Sequence, residues 1–136
     1  MYETRQGGQN LETLDEESFD AALAAAKGLV LIDFWADWCG PCGVVRPILE
    51  ALEPTYADQV DFYKVDADEN RRLMDAFGIR SIPTVVLLKP DGEGGARVVG
   101  HVVGARGPGA FVEVIERGLN PKPGVLTRLG NLFGRK

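Results

Sequence analysis

Residues 28 to 35 read Gly-Leu-Val-Leu-Ile-Asp-Phe-Trp, a glycine-bounded run rich in β-branched and aromatic side chains. As a strand it places Leu29, Leu31, Asp33 and Trp35 on one face and Val30, Ile32 and Phe34 on the other. Apolar residues on both faces belong to a strand at the centre of a sheet that is covered on both sides. With 136 residues, 45% of them hydrophobic and 26% charged, the chain has the size of one domain and an ordinary globular composition. A covered central strand therefore requires helices on either side of it, and these are legible.

Leu11 to Leu14 reads as a short edge strand. Asp15-Glu16-Glu17-Ser18 then supplies acids and capping oxygens for a helix through Lys27, which Gly28 ends. After the central strand, Cys42 to Tyr56 carries Val45, Ile48, Leu49 and Leu52 at helical spacing. Pro47 lies inside that helix and should kink it, because its ring clashes with the carbonyl of Gly43 and removes a hydrogen bond. A strand over 60–66, a short helix over 69–77, a strand over 82–89, a turn at Pro90-Asp91-Gly92, an edge strand over 96–103 and a helix from Pro108 follow. This order, β-α-β-α-β-α-β-β-α, predicts an α/β fold with a central mixed sheet flanked by helices on both faces. Strands 29–35 and 60–66 should pair in parallel, since a helix crosses between them.

Both cysteines of the chain, Cys39 and Cys42, lie at the junction of the central strand and the following helix. The helix N-terminus favours an anion, so the first cysteine reads as the nucleophile. The second lies about one turn further in, within reach of a mixed disulfide formed on the first. A zinc site needs four ligands, whereas the chain offers two cysteines and a distant His101. A structural disulfide here would close a loop too short to restrain the unfolded chain much. The placement points to a dithiol–disulfide exchange centre.

Trp35-Ala36-Asp37-Trp38-Cys39-Gly40-Pro41-Cys42, with Pro47 five residues later, resembles the active-site signature of the thioredoxin family. Asp33, Lys64, Ile82-Pro83-Thr84 and Gly104-Ala105 extend the resemblance, which covers roughly residues 11–119. It implies the thioredoxin fold, with an antiparallel 82–89/96–103 hairpin. It also implies that Asp33 is a buried acid beneath Cys42 that accepts its proton, with Lys64 near it. A carboxylate in an apolar strand is costly to ionise, and neither face of this strand offers easy solvation. For Lys64, a side chain reaching from a strand to water is an equal reading. Pro83 reads either as the start of a strand or, by resemblance, as a cis-proline that leaves the Ile82 backbone free to pair with substrate. Trp38, Gly40, Pro41, Ala67, Ile82, Pro83, Val103, Gly104 and Ala105 would form the substrate-binding surface around the sulfurs. Trp35 reads equally as core.

The chain departs from the common family pattern at Gly43, where many members carry a lysine, and in the Glu93-Gly94-Gly95 lengthening of the hairpin. A missing cation removes one source of thiolate stabilisation. His101 reads as solvated surface. The net charge of −5 is uneven: Lys122, Arg128, Arg135 and Lys136 make residues 120–136 carry +4, which leaves −9 for the remainder. An acidic body argues against nucleic acid as a ligand. Leu126, Leu129, Leu132 and Phe133 fall at helical spacing in this basic tail, which reads either as an amphipathic interaction helix or as a frayed end.

The expected organisation is a leader over 1–10, a thioredoxin domain over 11–119 and a tail over 120–136. No membrane span and no signal peptide are legible, which gives a cytoplasmic location. The resemblance implies a protein-disulfide reductase without cofactor or metal, acting on disulfide-containing proteins. No Gly-x-Gly-x-x-Gly follows a strand, so electrons should come from a separate NADPH-dependent thioredoxin reductase. An oxidase or isomerase of the same fold, and a non-enzymatic clamp using the same groove, are the rival readings.

Overall fold

The computed structural model describes residues 11–121. Expectations for the leader, for Leu126 to Phe133 and for the tail's charges fall outside them. The elements run β1 (Glu12–Thr13), α1 (Phe19–Ala25), β2 (Leu29–Trp35), α2 (Cys42–Tyr56), β3 (Val60–Asp66), α3 (Arg71–Ala76), β4 (Thr84–Pro90), β5 (Ala96–Val103) and α4 (Pro108–Leu119). They build a five-stranded sheet in the order β1-β3-β2-β4-β5, so the doubly apolar β2 sits at its centre. β3 pairs with β2 in parallel, as the helical crossover predicts, and β4 is antiparallel to β5, as the resemblance implied; β4 is also antiparallel to β2.

The two faces of β2 belong to two cores. Leu29 and Leu31 pack with Val45, Leu49 and Tyr56 of α2 and with Phe111 and Ile115 of α4. Val30, Ile32 and Phe34 pack with Leu23 of α1 and Leu73 of α3. Alternation puts Asp33 on the α2 face, where its register partners are Lys64 in β3 and Val85 in β4. The Tyr56 hydroxyl donates to Glu116 Oε2 at 2.7 Å and ties α2 to α4.

Local chemistry adjusts several boundaries. The Ser18 hydroxyl does not cap α1. Its N–H and hydroxyl donate instead to Asp15 Oδ1, at 2.8 and 2.9 Å, closing the preceding turn. α3 starts at Arg71 rather than Glu69, because Asn70 and Glu69 are held in a turn by hydrogen bonds to the Asp66 carbonyl. The first-turn N–H of Arg72 is satisfied by Glu16 Oε2 at 2.8 Å. β4 begins at Thr84, after the proline that has no N–H to give a ladder. α2 runs unbroken from Cys42 to Tyr56 with Pro47 and Pro54 inside it. In the lengthened hairpin, Asp91 Oδ1 accepts the N–H groups of Glu93 and Gly95. Among the described residues no helix is long and apolar enough to cross a membrane.

Candidate active site

Cys39 and Cys42 are joined in a disulfide where β2 gives way to α2. Cys39 stands three residues before Cys42, the first residue of α2, and its Sγ accepts the Cys42 backbone N–H at 3.2 Å. That N–H is one of the helix-terminal donors with no carbonyl four residues back inside the helix. It is shared between the Cys39 carbonyl, at 3.2 Å, and the sulfur that the sequence assigns as nucleophile. Exposure does not separate the two, at 7% for Cys39 and 5% for Cys42 in the disulfide form; the hydrogen bond does.

The surroundings fit a docking face. Trp38, next to Cys39 in the chain, is 69% exposed, and its indole N–H donates to Asp68 Oδ2 at 2.9 Å, which restrains the ring. Gly40, Pro41 and Ala105 are exposed, Val103 is half exposed, and Ile82 is partly buried against the cysteines. The Ile82–Pro83 peptide is cis. Gly104 takes a φ of 91°, open to glycine, and donates its N–H to the Pro83 carbonyl at 2.9 Å, which joins the proline loop to the end of β5. Two of the expected surface residues are not on the surface. Ala67 and Pro83 are buried, and the Ala67 N–H donates to the Trp35 carbonyl at 2.8 Å.

Beneath the start of α2 lies Asp33, which is fully buried. Its burial pushes the carboxyl above the usual carboxylate range, and the hydrogen bond and charge of Arg46, then the charge of Lys64, pull it back only in part. Arg46 Nε donates to Asp33 Oδ2 at 3.0 Å. The other oxygen, Oδ1, is buried without a protein partner. Lys64 lies beside Asp33 in the β2–β3 register and is half-buried.

Arg46 and Asp68 are the site residues that sequence reasoning missed. Asp68 is thirty residues from the tryptophan it holds, so no local pattern shows it. Arg46 did leave a signal: it lies four residues after Cys42, on the same side of the helix, above a buried acid.

The thioredoxin family model matches residues 10–117. The chain is 40% identical over 104 residues to a thioredoxin of Bacillus subtilis, which covers 76% of this chain and 93% of that protein. It is 36% identical over 102 residues to an M-type chloroplastic thioredoxin of Pisum sativum, covering 75% of this chain and 59% of the relative. The chain thus spans less than two thirds of the pea protein's length. A solved thioredoxin from Malassezia sympodialis superposes with a TM-score of 0.69 at 33% identity, over 80% of this chain and 90% of that one. The matched residues include the cysteine pair and the sheet that carries it, so the chain belongs to the thioredoxin family.

Proposed function

We propose that residues 11–119 form a general reductase of protein disulfides in which Cys39 attacks and Cys42 resolves. The observation that carries the order is the Cys42 N–H donating to Cys39 Sγ, which stabilises negative charge on that sulfur. In the dithiol state the Cys39 thiolate attacks one sulfur of a substrate disulfide. A Cys39–substrate bond forms and the other substrate sulfur leaves as a thiolate. Cys42 then loses its proton to Asp33 and attacks Cys39 Sγ. The Cys39–Cys42 disulfide forms, and the second substrate thiol is released. Two electrons and two protons pass to the substrate.

Trp38, Gly40, Pro41, Ile82, Val103, Gly104 and Ala105 supply the docking face, with the Ile82 backbone pairing to an extended substrate segment. A separate NADPH-dependent thioredoxin reductase returns the disulfide to the dithiol. A cytoplasmic place and a role in electron transport and redox homeostasis follow from that reading.

The test is turnover of a protein disulfide with dithiothreitol as the electron source. The native chain should turn over, and Cys39→Ser should not. No turnover by the native chain, with partner binding retained in the Cys39→Ser, Cys42→Ser double variant, would overturn the reading and leave a clamp.

A further inference from the structure

Arg46 is held from two sides. Its guanidinium carbon lies 4.9 Å from the centroid of the Trp35 ring, and its Nε donates to Asp33 Oδ2 at 3.0 Å. The side chain is 20% exposed while that of Asp33 is 0%, so the arginine spans from solvent to a carboxylate that water does not reach. A cation stacked on tryptophan is restrained without losing its charge. The contact uses one carboxylate oxygen and leaves Oδ1 buried without a protein partner.

A proton acceptor for Cys42 has two requirements that oppose each other. It must be basic enough to take a thiol proton, which burial provides. It must also be ionised before the thiol arrives, which burial opposes. The charged groups acting on Asp33 come from two elements: Arg46 from α2 and Lys64 from β3. Glu50 of α2 shares their field, feeling Arg46, Lys64 and Asp33. From β4 the register neighbour is the apolar Val85. Of these, Arg46 is the one hydrogen-bonded to the carboxylate, and it lies one helical turn beyond Cys42.

We propose that Arg46 is a positioning residue for the resolving step: anchored on Trp35, it holds Oδ2 and keeps the Asp33 carboxylate ionised, leaving Oδ1 to take the Cys42 proton. The inference rests on the reading of Asp33 as that acceptor. The proton moves from Cys42 Sγ to Asp33. The Cys42 thiolate then displaces the substrate sulfur from Cys39, and the departing thiolate regains a proton from Asp33 or solvent.

The experiment follows the reduced full chain mixed rapidly with an aromatic disulfide that releases a coloured thiolate. The concentration-dependent phase reports attack by Cys39, and the concentration-independent phase reports resolution by Cys42. Both are read from acid to alkaline pH in the native chain, Arg46→Met, Arg46→Gln, Arg46→Lys and Asp33→Asn. Loss of the cation should carry the rising limb of the resolution phase to higher pH by about one unit, slowing it about tenfold on that limb. The rate should recover at alkaline pH, the attack phase should stay put, and Arg46→Lys should restore most of the profile. Arg46→Gln keeps a polar side chain of similar reach, so it reports the charge even where Arg46→Met fails to fold. A uniform loss at every pH, an equal shift of both phases, or an unmoved limb would overturn the role of Arg46 while leaving Asp33 in place. A limb that persists unchanged in Asp33→Asn would overturn the acceptor reading and this inference together.

Discussion

The backbone N–H of Cys42 donates to the Sγ of Cys39 at 3.2 Å, across the start of α2. One cysteine therefore prepares the other: the Cys42 amide lies where negative charge on Cys39 Sγ is needed. In the reduced protein, Cys39 should react with iodoacetamide at neutral pH well before Cys42. Peptide mapping after brief labelling checks this, and a majority of label on Cys42 would contradict it.

Gly43 marks a second relationship, defined by open space. A Cβ at Gly43 meets nothing within 4 Å, and the residue is exposed in the first turn of α2. Gly43→Lys should be accommodated without strain and should place a cation near the helix terminus, where solvent and salt screen it. Cys39 should then alkylate about twofold faster at low salt, an advantage that fades as the ionic strength rises. An unchanged rate at low salt would leave Gly43 as a choice made for partner recognition.

Burying Asp33 carries a stability consequence with a definite sign. The folded protein binds the Asp33 proton more tightly than the unfolded chain, because burial raises its pKa. Stability contributed by this group therefore falls as pH rises from the ordinary carboxylate range through the raised native value. Asp33→Asn removes that loss, and Arg46, stacked on Trp35 and partly exposed, is not stranded by it. The variant should melt higher than the native chain at neutral pH, by a margin that shrinks on acidification. Melting curves from neutral pH to below the carboxylate range decide it, and a margin that grows on acidification would be the opposite sign.

Gly28 lies against the Gln59 backbone, whose carbonyl accepts the Leu29 N–H at 3.0 Å. A Cβ at Gly28 would run into that carbonyl, so one of two backbone segments must move. Gly28→Ala should cost about 1–3 kcal/mol in denaturant unfolding. Gly43→Ala, with space around it, should be neutral or gain up to about 1 kcal/mol. Equal stability of the two variants would refute the close approach.

The central strand, the cysteine pair and the helix after them were legible for a physical reason. Apolar side chains on both faces leave β2 only one place in a sheet, and its position fixes where α2 begins. Boundaries governed by side-chain hydrogen bonds were less legible. Asp15 engages the Ser18 hydroxyl that a capping pattern suggests as an acceptor for the helix N–H groups, and Asn70 delays the start of α3. Arg46 was missed because an arginine on a helix flank reads as solvated surface, although its spacing from Cys42 sets it on the side of the helix that faces the buried Asp33. Its contact with that acid, thirteen residues earlier, is shown by packing.

The most direct test of exchange through Cys39 uses Cys42→Ser, which can attack a disulfide but cannot resolve the product. Incubated with a disulfide-containing protein, then acid-quenched and digested without reductant, it should yield one stable cross-link from Cys39 to a substrate cysteine by mass spectrometry. Treatment with dithiothreitol should release it, and the matching Cys39→Ser variant should form far less. Absence of the Cys39 adduct in Cys42→Ser, with an equivalent adduct accumulating on Cys42 in Cys39→Ser, would contradict the account.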